Sequence, residues 1–215
     1  PDLVILPLKL KDAAASLTEL GIPVLLVNPE SQELLTEMIE LVSTATNTQE
    51  RANELLSYIA SQKSMLSDTL ADTEPKSVYL AGNSSLLSTA GPAMYQSSMI
   101  ELAGGKYVPE DTGESDNALS TMNMQMEEFY AKAKDADYII YNSTIDGELS
   151  TIDELLAKSN LLADFKAVKD GNVWCTGKNL FQETTELGTM IEDIHTILTT
   201  DDDSLDELAY MHKLK

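Results

Sequence analysis

The sequence predicts an α/β fold of two lobes with parallel sheets, joined by one long α-helix. Three observations predict it. Short apolar runs alternate with helical patterns along most of the chain, and the first two such runs flank one helix of crossover length. One further helical pattern runs on too far to be a crossover within a lobe. A chain of 215 residues is long enough for one large domain or for two lobes of roughly 100 residues each.

The elements follow in order. Leu3 to Leu6 read as a buried strand, "KDAAASLTELG" as a short helix closed by Gly21, and "PVLLVN" as a second strand. A strand, crossover and strand of this length pair in parallel and right-handed, which puts Pro7 and Asn28 at the start of loops on one rim. "SQELLTEMIELVSTATN" is a helix capped by Ser31. In the next segment Ala52, Leu55, Leu56, Ile59, Leu66 and Leu70 share a helical face until Pro75 forbids continuation, which makes a long strut. After Pro75 the alternation resumes with "SVYLAG", a helix near 92–103, "KYV", a helix near 124–134, "DYIIYN", a helix near 151–157, "NVWCTG" and a final helix with Leu187, Met190, Ile191, Ile194 and Leu198 on one stripe. The expected division is residues 1–46 for the first lobe, 47–74 for the linking helix, 75–200 for the second lobe and 201–215 for an acidic C-terminal tail.

Composition removes several functions. The net charge of −22, from 36 acidic and 14 basic side chains, repels a phosphate backbone, and Lys9 with Lys11 or the terminal "HKLK" make no basic patch, so nucleic acid is not a partner. One cysteine, Cys175, excludes an internal disulfide, a cysteine zinc site and a dithiol motif; it reads as an inert buried thiol. Trp174 reads as a core residue, and the two-residue period of a strand turns Cys175 to the opposite face. His195 and His212 stand too far apart to make a catalytic pair or a metal cage. "DDDSLDE" is acidic enough for a calcium loop but lacks its glycine and terminal Glu. No nucleophile motif, phosphate loop or zinc-protease motif is present, so no catalytic residue, cofactor or metal site is expected. No apolar run is long enough to cross a bilayer.

The order "PDLVIL", "LTELGIPVLLVNPES", the long helix, "VYLAGNSSLLSTAG", "MIELAGG", "DADYIIYNS" and "FKAVKDGNVW" resembles the substrate-binding proteins of ABC importers for iron-siderophores, haem and cobalamin. That resemblance spans about residues 1–200 and implies two Rossmann-like lobes, the first of them incomplete, in a chain cut from something longer. It also implies an extracytoplasmic monomer, in the periplasm or lipid-anchored outside the cytoplasmic membrane. Such a protein captures a metal chelate (siderophore, haem or corrinoid) between its lobes and delivers it to an ABC permease. At the positions that contact the permease in such proteins, this chain has Lys11 and Asp12 in the first lobe and Glu101 in the second. The rival reading is a non-transport α/β enzyme or ligand-sensing domain with the same lobes.

In an open α/β sheet, ligands bind outside the carboxyl ends of the strands. The rim so defined is 7–11, 28–31, 83–91, 143–147 and 177–182. Within it, Asn83, Ser84, Ser85, Ser88 and Thr89 supply hydroxyl, amide and backbone donors, or else serve only as a turn and cap. Met94, Tyr95 and Met122 line a large planar ligand or pack in the core. Phe181 stacks on a ligand or staples the last helix, and Lys9 meets an anionic chelate or is solvated.

Overall fold

The computed structural model of the protein describes residues 1–29, 31–69, 74–81, 88–90, 95–108, 121–123, 126–144, 146–178, 187–200, 202 and 204–215. Its contacts divide the chain into two compact units, Pro1–Ser57 and Tyr58–Lys215. The division falls inside one helix.

In the first unit, β1 (Val4–Pro7) and β2 (Val24–Val27) pair in parallel with Val4 opposite Val24. The α1 helix (Lys11–Glu19) makes the crossover, after a single 3-10 turn at Leu8–Leu10. It ends in a Schellman motif: the Ile22 N–H donates to the Leu17 carbonyl and the Gly21 N–H to that of Thr18, with Gly21 at φ +77° where a side chain would be strained. Ser31 caps α2 (Gln32–Thr46) by accepting from the Leu34 N–H at 3.2 Å. Asn47, in the left-handed region at φ 58°, ends α2, so the next helix starts afresh as α3 (Gln49–Thr69). At 21 residues α3 is about 32 Å long.

The second unit holds a five-stranded sheet. Its parallel strands are β3 (Ser77–Ala81), β5 (Lys106–Val108), β7 (Tyr138–Tyr141) and β8 (Val173–Thr176). A fifth strand, β9 (Met211–Lys213), pairs antiparallel with β8, giving the order β5-β3-β7-β8-β9. A separate two-stranded ribbon is formed by β4 (Ser88–Ala90) and β6 (Thr121–Asn123). The helices are α4 (Tyr95–Leu102), α5 (Met126–Ala133), α6 (Ile152–Lys158), α7 (Lys166–Lys169) and α8 (Leu187–Thr199).

The central strands β3, β7 and β8 are buried on both faces, which is why they read as unbroken apolar runs. Val78, Leu80, Ile140 and Trp174 pack with Met99 and Ile100 of α4 and with Met190, Ile191 and Ile194 of α8. The alternate residues Tyr79, Ile139, Tyr141, Val173 and Cys175 pack on the other side with Leu155 of α6, Leu162 and Phe165. Trp174 and Cys175 thus lie on opposite faces, as the strand period requires, and both are buried. Thr151 caps α6 in a complete capping box with Glu154.

The expectation of an acidic tail over 201–215 is corrected. Met211 joins the α8-side core and Leu214 the opposite one, at 3% and 4% exposure. The Tyr210 N–H donates to Asp193 of α8 at 2.7 Å, and the Ile152 N–H donates to the Lys215 carbonyl at 3.0 Å. Met211–Lys213, within "MHKLK", is an edge strand of the sheet.

Candidate functional site

The sheet's connectivity marks a candidate site. From β3 the chain proceeds to β5 on one side, whereas from β7 it proceeds to β8 on the other. The connections leaving these two neighbours diverge, and the crevice outside their carboxyl ends is where an open parallel sheet has room for a ligand.

On the β7 side of that point the chain reads Asn142, Ser143, Thr144, and it is held by the strands on either side of β7. The Asn142 N–H donates to the Ala81 carbonyl at the end of β3 at 2.8 Å. The Ser143 N–H donates to the Thr176 hydroxyl at 3.1 Å, while the Ser143 hydroxyl donates to the Thr176 carbonyl at 2.5 Å. Asn142 accepts from the Thr144 N–H through Oδ1 at 3.1 Å, and the Gly147 N–H closes the turn on the Ser143 carbonyl at 2.9 Å. Gly147 has φ +86°, a conformation that tolerates no Cβ without strain. Asn142, Ser143 and Thr176 are wholly buried, so these bonds are satisfied in a dry setting and the turn is rigid. One group at the turn stays unmatched: the Thr144 hydroxyl is buried and has no hydrogen-bond partner.

On the β3 side stands the β4–β6 ribbon. Its register sets Thr89 opposite Met122 and Ser88 opposite Asn123. Two residues far apart in sequence and singled out for the same rim, Thr89 and Met122, are therefore cross-strand partners. Tyr95 is the first residue of α4, which follows the ribbon strand. Lys9 belongs to the first unit, exposed in the 3-10 turn after β1. Asn83, Ser84, Ser85, Met94 and Phe181 lie outside the described residues. Lys11, Asp12 and Glu101 are exposed. The sequence marked 143–147 only as a stretch of rim; the polar run "NST" directly after "YIIY" was the signal for its individual residues.

Several other polar groups in the unit make contacts within the fold. At the opposite end of β3 and β7, Asp137 accepts from the Ser77 N–H at 2.8 Å and from the Ser77 hydroxyl at 2.7 Å, and pairs with Lys166. Partial burial pushes the Asp137 carboxyl up, but Lys166 and Ser77 together outweigh it and hold the pKa at about 2. His195 joins α8 to the Ala103 carbonyl at 3.0 Å, and His212 meets the Leu149 carbonyl at 2.6 Å. Burial pushes the Cys175 thiol up to about 11, which makes it a poor nucleophile. A depression of about 270 Å³ beside β9 is lined by Glu148, Lys178, Glu207, Tyr210 and His212 among others. Among the described residues no three His, Cys, Asp or Glu side chains converge as a metal site, and no helix is long and apolar enough to cross a membrane.

A model of the periplasmic binding protein family matches residues 1–180. The chain belongs to that family. Among solved structures it is similar to a periplasmic haem-binding protein of Pseudomonas aeruginosa, with a TM-score of 0.75 and 14% identity over 100% of this chain and 77% of that one. IsdE of Staphylococcus aureus, solved with haem, gives a TM-score of 0.72 and 16% identity over 93% and 78%. HutB of Vibrio cholerae, a periplasmic haem-binding protein, gives 0.72 and 19% over 93% and 77%. At these identities the structures establish the shared fold. No curated protein sequence matches. The family and the similar structures are binding proteins.

Proposed function

We propose that this protein is the extracytoplasmic solute receptor of an ABC importer, capturing an iron chelate, haem or a siderophore, or a corrinoid, and handing it to a permease. The observation that carries the reading is the divergence of connections at β3 and β7, with the Asn142–Thr144 turn on one side and the Thr89/Met122 ribbon on the other. The family match and the haem proteins of the same fold support the ligand class. The two-lobe capture implied by the sequence, with α3 as the linking helix, Lys9 toward anionic groups of the ligand, and a periplasmic or lipid-anchored location, forms part of the proposal.

The mechanism is capture and release. A rigid turn loses little entropy when a ligand settles on it, so its donors contribute to affinity rather than to ordering. The test is titration with haemin, a ferric tris-catecholate, a ferric tris-hydroxamate and cyanocobalamin, followed by quenching of Trp174, the only tryptophan. Saturable binding of at least one is expected. Binding of none would sink the chelate reading and leave the fold.

A further inference from the structure

We propose that Thr144 is a ligand-contacting residue, its hydroxyl donating to an oxygen of the bound chelate. The inference rests on the chelate reading above and names one of its contacts. Four observations carry it. Thr144 follows the carboxyl end of β7, beside the point where the connections of β3 and β7 diverge. Its main chain is fixed on both sides, by Asn142 Oδ1 at its own N–H and by the Ser143 bonds to Thr176 and Gly147. The side-chain oxygen has no partner, although buried hydroxyls ordinarily have one. The residue as a whole is partly exposed, while its hydroxyl oxygen is covered.

A threonine χ1 rotation exchanges the oxygen with the methyl group or the hydrogen. Such a rotation re-aims a hydroxyl that forfeits no hydrogen bond in the fold. A donor with nothing to give up is suited to an acceptor that arrives with the ligand, such as a carboxylate, catecholate or hydroxamate oxygen.

Tyr141 supplies the control. Its hydroxyl is also buried, but it interacts with the Lys158 ammonium, which lies 5.4 Å from the ring centre, and the ring packs in the layer under α6 with no exposed surface. No ligand reaches that layer.

The experiment compares Thr144→Val, Thr144→Ser and Tyr141→Phe with the unaltered protein, reading both melting temperature and affinity for haemin, the ferric tris-catecholate, the ferric tris-hydroxamate and cyanocobalamin. Thr144→Val keeps the shape and removes the donor; it is expected to melt no lower than the parent and to bind about tenfold more weakly. Thr144→Ser restores affinity, and Tyr141→Phe leaves it unchanged. A loss of less than about threefold in Thr144→Val, while the parent binds a probe, overturns the proposal. So does a lowered melting temperature in Thr144→Val, because the hydroxyl would then have had a partner in the fold. If the parent binds no probe, the chelate reading itself fails and this contact falls with it.

Discussion

Ser143 and Thr176 exchange two hydrogen bonds across the carboxyl ends of β7 and β8: hydroxyl to carbonyl at 2.5 Å and N–H to hydroxyl at 3.1 Å. Both residues are fully buried. Ser143→Ala leaves the Thr176 carbonyl without this donor in a dry setting and is expected to lower stability by about 1–3 kcal/mol. Urea unfolding measures it, and a midpoint equal to the parent's would mean that another donor takes the place of the lost one.

Gly105 sits where α4 meets α8. A Cβ there would lie 2.9 Å from Ile100 Cγ2, 2.9 Å from Leu198 Cδ1 and 3.2 Å from the Ile100 carbonyl oxygen. Leu198 can turn aside, but the Ile100 main chain cannot. Gly105→Ala is expected to destabilise by about 1–3 kcal/mol through overpacking. Gly171 offers a contrast, since a Cβ there meets nothing and the cost comes only from its φ of +72°.

Asp137 gives the second unit a definite acid response. Its carboxyl is held at about 2, below its ordinary value of 3.8. A depressed carboxylate contributes its full stability above the unfolded pKa and loses it as pH falls through the folded one. The window is therefore from about pH 4 down to about pH 2, and the contribution is about 1 kcal/mol after allowance for solvent around the pair. In Asp137→Asn the stability difference from the parent shrinks across that window. A constant difference from pH 6 to pH 2 would show that the bonds to Ser77 and Lys166 do not set the carboxyl's titration.

Tyr95→Ala is expected to weaken chelate binding without unfolding the protein. Tyr95 begins α4, immediately beyond the segment that follows the ribbon, and a first-turn residue can be truncated at little cost to the helix. A large fall in melting temperature would move Tyr95 into the core instead.

The legible part of the fold was the part governed by periodicity. Strands buried on both faces announce themselves as apolar runs, and Val78, Ile140 and Trp174 fall where "SVYLAG", "DYIIYN" and "NVWCTG" put them. Local capping was legible too: Ser31 and Gly21 act at the ends of α2 and α1 as their residue types suggest. The β4–β6 ribbon was not, because its short strands of Ser, Thr, Ala, Met and Asn carry no alternation and are separated by 30 residues. β9 was missed for a related reason: its buried side chains Met211 and Leu214 stand in a stretch rich in charge. Of the site, residue types on the rim were readable. The bonds joining Ser143 to Thr176 were not, since they depend on β7 and β8 lying side by side.

β9 also orders events in time. A chain synthesised amino end first has β3, β5, β7 and β8 available before the strand that pairs with the outer edge of β8. Until β9 docks, Val173–Thr176 is an apolar strand with an open edge, a template on which a second copy can pair instead. The yield of refolded protein therefore depends on a race between β9 and a neighbour, and dilution favours β9 because its docking is intramolecular.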